Sequence, residues 1–230
     1  MSSIQYTTAV GSKFHPDGTV RSYPGNTIIC FVDPSRHAGV FQECVWAQKQ
    51  LQGMRCRHKF GFLPPDSFHM TVIELLCDQV RIPRKWSRFL PLSASLEETD
   101  HFFLSKASQT PAPTELKMRY KLVCEPATIE VEPADEKTGQ ALEDYRNRIS
   151  EITGVRFSDH DTYKFHISLA YNLVKLNSAE RQEMLRTLEK IDQRLKRSFG
   201  VFRTASPQLA FFDNMFRFVT EGERHTLVTR

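Results

Sequence analysis

Two stretches of this sequence decide its architecture. Residues 68–72 read Phe-His-Met-Thr-Val, and residues 165–169 read Phe-His-Ile-Ser-Leu. We call residues 68–72 motif one and residues 165–169 motif two. Both lie in apolar segments of strand length, where side chains alternate between the two faces of a sheet. The histidine and the hydroxyl residue of each motif therefore share one face, and the apolar residues pack on the other. The repetition predicts two similar halves, each presenting one His-x-hydroxyl pair.

The repeated pair suits acid–base chemistry on a phosphate ester. If an approximate twofold axis relates the halves, His69 and His166 face each other across one cleft. A neutral imidazole takes a proton from the attacking oxygen, and a protonated imidazole gives one to the leaving oxygen. The hydroxyls of Thr71 and Ser168 donate hydrogen bonds to the non-bridging oxygens as negative charge develops. We therefore predict His69 and His166 as catalytic residues and Thr71 and Ser168 as substrate-binding residues.

Aromatic and basic residues near the motifs are further candidates for substrate binding. Tyr163 and Tyr171 flank motif two, and an aromatic ring can stack on a base, so we include both as substrate-binding residues. The alternative for each ring is packing in the core or at the rim of the cleft. Lys164 and Arg217 have the reach to contact a phosphate, although isolated basic residues are usually solvated.

Three other functions stay open on the residues alone. Asp159, His160 and Asp161 are metal-ligand residue types and would serve a metal-dependent phosphohydrolase, although a polar loop before a strand also fits an ordinary turn. A second alternative is a nucleotide-binding module without turnover. A third is that the same scaffold serves a non-phosphate reaction. Because a binder needs no acid–base pair, the intact motifs favour an enzyme, and we expect no metal and no cofactor.

The remaining pattern predicts an α+β fold, with one bilobal domain over residues 1–230 and a junction between the lobes near residues 108–115. Apolar runs predict strands at 28–32, 68–76, 116–124, 127–131, 165–171 and 209–218. Helical spacing predicts helices at 38–52, 95–107, 138–153 and 178–197. Ser95 and Glu98 have the spacing of a capping box, and Gly154 follows a helical stripe as its end signal.

Composition narrows the range of partners and compartments. Of the 230 residues, 40% are hydrophobic, which is enough for a sizeable core. The 31 basic and 27 acidic residues leave a net charge of +4, too small for a protein that coats duplex DNA. No apolar run is long enough to cross a membrane, the start lacks a secretory signal, and the five cysteines form no C-x-x-C pair. We expect a cytoplasmic monomer that binds a nucleotide or short single-stranded RNA, without membrane or duplex DNA partners.

The paired H-x-T and H-x-S motifs resemble the signature of the two-histidine (2H) phosphoesterase superfamily, which includes RNA 2′-5′ ligases and cyclic nucleotide phosphodiesterases. The lead-in, with Lys13-Phe14, Asp17-Gly18 and residues 23–30, resembles a little-characterised branch. The resemblance extends roughly from residue 11 to residue 218. It implies a bilobal α+β fold with one motif from each lobe in a central cleft, and no required metal.

The resemblance also implies roles and substrates. His69 and His166 would be the acid–base pair, and Thr71 and Ser168 the phosphate-binding hydroxyls. The substrates would be 2′,3′-cyclic phosphates or 2′-5′ linked nucleotides and RNA, which we expect to be hydrolysed with weak base preference.

Overall fold

The computed structural model describes residues 4–228. The predicted domain covers residues 1–230, so residues 1–3 and 229–230 of it lie outside the described residues. The predicted lack of a secretory signal rests partly on residues 1–3, which are also outside this range. Within the described residues the chain forms ten strands and four α-helices, which confirms the α+β class. The strands are β1 (Gly25–Phe31), β2 (Phe60–Phe62), β3 (His69–Cys77), β4 (Lys117–Cys124), β5 (Thr128–Pro133), β6 (His166–Ser168), β7 (Ala170–Asn172), β8 (Val201–Arg203), β9 (Gln208–Asn214) and β10 (Arg217–Val219). The α-helices are α1 (Ala38–Gln52), α2 (Leu96–Ala107), α3 (Glu136–Thr153) and α4 (Ser178–Ser198).

Eight strands form one antiparallel sheet in the order β10-β9-β1-β3-β6-β5-β4-β8, and β2 pairs with β7 separately. The two motif strands, β3 and β6, are neighbours at the centre, with three further strands on each side. The predicted junction at 108–115 lies between α2 and β4, but the chain later returns to the first half, where β9 pairs with β1 and β10 with β9. No helix in residues 4–228 has the length and apolarity that a membrane crossing needs.

One face of the sheet is covered by helices and carries the core. Met70 and Ile167, the central residues of the two motifs, are fully buried there. The predicted inward stripe of α4 is buried as well; its residues are Met184, Leu188, Ile191 and Leu195. The capping box of Ser95 and Glu98 begins α2, and α3 ends at Gly154, whose φ of 68° suits a residue without a Cβ.

Two predicted strands are each divided in the structure. The run at 165–171 becomes β6 and β7, because β6 pairs with β3 and β5 whereas β7 pairs with β2. The run at 209–218 becomes the β9–β10 hairpin, where Asn214 Oδ1 accepts a hydrogen bond from the Phe216 backbone. Both runs look continuous in the sequence because the residues at the breaks, Leu169 in the first and Met215 and Phe216 in the second, are apolar and contact the core.

Residues 6–24 form an N-terminal arm that runs from β7, where the Thr7 hydroxyl donates to the Asn172 carbonyl, to β9. Phe14 is its fully buried anchor, with ring centroids 5.4 Å from Tyr171 and 5.9 Å from Phe216. The absence of a side chain at Gly61 makes room for this ring, since an added Cβ would lie 2.9 Å from Phe14 Cε1. The Tyr23 backbone N–H then donates to the Asp213 carbonyl and attaches the arm to β9.

Candidate active site

The pairing of β3 with β6 brings the two motifs together. Met70 lies opposite Ile167 in an antiparallel register. His69 is therefore opposite Ser168, and Thr71 is opposite His166, with all four side chains on the face away from the core. The two histidines occupy a diagonal of the ladder, for which the usual separation is ~7–8 Å. The two imidazoles are therefore related by a local twofold axis and lie on the same face of the two strands.

Both imidazoles are held in the same way. His69 Nδ1 lies 2.8 Å from the Ser67 carbonyl oxygen, and His166 Nδ1 lies 2.7 Å from the Lys164 carbonyl oxygen. A carbonyl oxygen only accepts hydrogen bonds, so each Nδ1 carries a hydrogen. Each Nε2 is consequently the nitrogen left for chemistry: it is a base when the ring is neutral and an acid when the ring is protonated.

The surroundings of His69 favour its neutral form. Its ring centroid lies 4.2 Å from that of Phe218 on β10. The pKa of His69 is lowered to about 4, mainly by burial and to a smaller extent by the nearby charges of His166 and Lys13, while the hydrogen bond to the Ser67 carbonyl acts in the opposite direction. At neutral pH His69 therefore has an unprotonated Nε2.

The four motif side chains line a cleft of about 490 Å³, a size in the range of small-molecule sites. Tyr163 and Tyr171, the two predicted aromatic residues, line it too. The Tyr163 ring lies 6.1 Å from that of His166, and burial followed by the charge of Glu74 raises the pKa of Tyr163. The Tyr171 ring packs against Phe14, so a role in stacking a base stays a prediction for both tyrosines.

A buried arginine on α3 binds the strand of motif one and the loop that precedes motif two. Arg146 donates hydrogen bonds to the backbone oxygens of Val72 on β3 and His160 in the loop before β6. Its guanidinium lies 4.7 Å from the centroid of the Tyr163 ring. Because burial alone would penalise this charge, the two carbonyls and the aromatic face compensate for lost water. Arg146 thus ties the strand of motif one to the segment that leads into motif two.

Glu74 is a cleft residue that the sequence analysis missed. Strict alternation along β3 puts it on the core face with Met70 and Val72, but the register with β1 shifts between Thr71 and Ile73. This bulge turns Glu74 outward, where it is exposed and lines the cleft. The signal was available, because a charged residue at a position expected to be buried is itself a sign of a bulge.

Other candidates lie elsewhere in the described residues. Lys164 faces Glu130, with Nζ 3.8 Å from its carboxylate, and Arg217 donates to Thr226 Oγ1; neither residue lines the cleft. The polar loop does not form a metal centre: no group of three or more possible ligands exists in residues 4–228. In that loop His160 Nε2 lies 3.2 Å from Asn147 Oδ1, and Asp161 pairs with Arg156.

Comparison with known protein families identifies the family of this chain. The family model 2H-phosphodiest, described as a domain of unknown function (DUF1868), matches residues 13–129, just over half of the chain. The chain belongs to this family of the 2H phosphoesterase superfamily, as its motifs suggested. The matched region contains motif one and ends before motif two. No curated protein sequence matches the chain significantly.

Two solved structures are similar to this chain to different degrees. The crystal structure of the conserved protein of unknown function ATU0111 from Agrobacterium tumefaciens str. C58 is similar, with 24% sequence identity and a TM-score of 0.87. The match covers 94% of this chain and 92% of that chain. The crystal structure of TT0787 of Thermus thermophilus is 18% identical, with a TM-score of 0.47 over 80% of this chain and 86% of that chain. The first of these likenesses shows the α+β fold and leaves the reaction to be inferred from the site.

Proposed function

We propose that this protein is a metal-independent phosphodiesterase that hydrolyses nucleoside 2′,3′-cyclic phosphates or 2′-5′ linked nucleotides and short RNA. The observation that carries the proposal is the register of Met70 with Ile167, which puts two His-x-hydroxyl pairs on one face of the cleft. A phosphodiester has a single negative charge, which hydroxyl donors and one cation can balance without a metal.

The step on a cyclic phosphate uses one proton acceptor and one proton donor. His69 Nε2 takes a proton from water while the water oxygen attacks phosphorus. The bond from phosphorus to one ribose oxygen breaks, and the Nε2–H of protonated His166 gives its proton to that oxygen. The product is a nucleoside monophosphate with a free ribose hydroxyl, and exchange with solvent restores the two histidines.

The assignment of the two roles follows from the environment of His69. The low pKa of His69 keeps it neutral, as a general base must be, and so His166 is assigned as the general acid. The hydroxyls of Thr71 and Ser168 lie beside the histidines across the ladder and would donate to the non-bridging oxygens. Tyr163 and Tyr171 would contact the nucleoside at the sides of the cleft.

The test is a turnover screen with pure protein. The substrates are the four nucleoside 2′,3′-cyclic phosphates, 2′-5′ and 3′-5′ linked dinucleotides, and a chromogenic phosphomonoester, each with and without chelator. The H69A/H166A double variant is the control for contaminating nucleases. We expect the wild type to cleave cyclic or 2′-5′ substrates in the presence of chelator and the double variant to be inactive.

Two outcomes would contradict the proposal in different ways. Cleavage of the monoester alone, lost on chelation, would indicate metal-dependent chemistry instead. Binding of the nucleotides without turnover by the wild type would favour a nucleotide-binding module, the alternative that the sequence leaves open.

A further inference from the structure

Lys13 brings a positive charge to the cleft from outside both motifs. Its side chain lines the cleft, with Nζ 3.2 Å from the Tyr171 hydroxyl. The same Nζ lies 4.6 Å from the centroid of the Tyr171 ring and 5.4 Å from that of Tyr23. In residues 4–228 no carboxylate lies within salt-bridge distance of Lys13, whereas several other lysines have such partners. The ammonium is thus held by neutral groups and keeps its charge available for an anion.

The fold fixes this lysine in place. Phe14, the next residue, is the fully buried anchor of the N-terminal arm, and the Arg21 backbone N–H donates to the Lys13 carbonyl. The anchor fixes the backbone of Lys13, and the contacts of Nζ with Tyr171 and Tyr23 restrict its side chain, so less entropy is lost when it binds a ligand. The nearby charge of Lys13 also acts on His69, which is consistent with an ammonium close to the reaction centre.

We infer that Lys13 is a phosphate-binding residue that neutralises a non-bridging oxygen of the scissile phosphate. This inference rests on the proposed function and adds a residue to it. When water attacks a phosphodiester, negative charge on the non-bridging oxygens increases, and the two hydroxyls of the motifs supply only neutral donors. His166 donates its proton to the leaving oxygen and so does not neutralise the non-bridging oxygens. A fixed ammonium supplies the full charge that the motifs lack.

The first test measures kcat/KM on adenosine 2′,3′-cyclic phosphate for the wild type and for K13M, K13R and K175M. We expect K13M to lose ~10²-fold, the lower range for removing one preorganised donor to a developing anion. K13R keeps the charge and should recover part of the loss. K175M removes an exposed lysine that does not line the cleft and should match the wild type. Equal kcat/KM for K13M and K175M would overturn the inference.

The second test separates a charge in the site from a structural role of the arm. Two charged groups act on the pKa of His69, namely His166 on β6 and Lys13 on the arm, and both lower it. Removing the Lys13 charge therefore raises the pKa of His69, so the acid limb of kcat/KM should move to higher pH in K13M and stay in place in K13R. A limb that does not move in K13M would contradict a charge next to the reaction centre.

A binding measurement distinguishes failure of this inference from failure of the proposed function. Inorganic phosphate is titrated calorimetrically into the wild type, K13M and K175M, with circular dichroism to confirm folding. Weaker binding by K13M alone supports the anion site even if no substrate in the screen is cleaved. Equal phosphate affinity in all three proteins would refute the anion site even if the wild type is an active phosphodiesterase.

Discussion

Replacing Phe218 with alanine tests whether burial sets the protonation state of His69. The Phe218 ring lies 4.2 Å from the imidazole, and burial is the largest cause of the lowered pKa of His69. Removing the ring admits water beside the imidazole and stabilises its charged form. The pKa should rise from about 4 toward the ordinary value of 6.5.

The expected effect on activity follows from the fraction of neutral base. At about pH 5 a base of pKa about 4 is ~90% neutral, whereas an ordinary imidazole is ~3% neutral. If His69 is the general base, the wild type keeps most of its maximal kcat/KM at this pH. Complete rehydration in F218A would lower the relative value ~30-fold, and partial rehydration would lower it less.

The assay is the pH profile of kcat/KM together with an NMR titration of the His69 ring. F218L restores an apolar cover and should lie close to the wild type, while F89A truncates a phenylalanine that is 51% exposed and should leave the profile unchanged. Circular dichroism at each pH confirms that the proteins stay folded. A wild-type acid limb near pH 6.5, or an F218A limb identical to that of the wild type, would refute the assignment of His69 as a base whose pKa is lowered by its contact with Phe218.

Three further predictions concern catalysis, metal and packing. Single alanine variants of His69 and His166 should each lose ~10²–10⁴-fold in kcat. The double variant should lose less than the product of the two single losses, because both histidines act on one transition state. A double-variant loss equal to that product would mean that the two histidines act independently. Excess chelator should leave turnover unchanged in a rate assay, and restoration of a chelated enzyme by Mg²⁺ would contradict this. Gly61→Ala should lower the free energy of unfolding by ~1–3 kcal/mol in urea melts, because its Cβ meets the buried Phe14 ring, whereas Gly39→Ala in α1 meets nothing and should raise it by up to ~1 kcal/mol.

Much of this protein could be predicted from its sequence. Helices α1, α3 and α4, which have strong periodicity, have nearly the predicted bounds. A long apolar stripe at helical spacing can be buried on one face only if the whole segment is helical. The repeated motifs identified the four central cleft residues, because period-2 alternation fixes which side chains share a face of a strand. The capping signals at Ser95 and Gly154 are local as well and require no distant partner.

Only the tertiary structure decided what depends on contacts between distant segments. The pairing of Met70 with Ile167 converts two separate motifs into one site, and no local pattern encodes which strands become neighbours. The bulge that turns Glu74 outward arises from the register with β1, and the pKa of His69 depends on burial beside Phe218 on β10. Lys13 reaches the cleft because Phe14 is buried between segments that are remote in sequence. Burial and charge are summed over the whole fold, so a residue's chemical role is set by neighbours that its own segment does not contain.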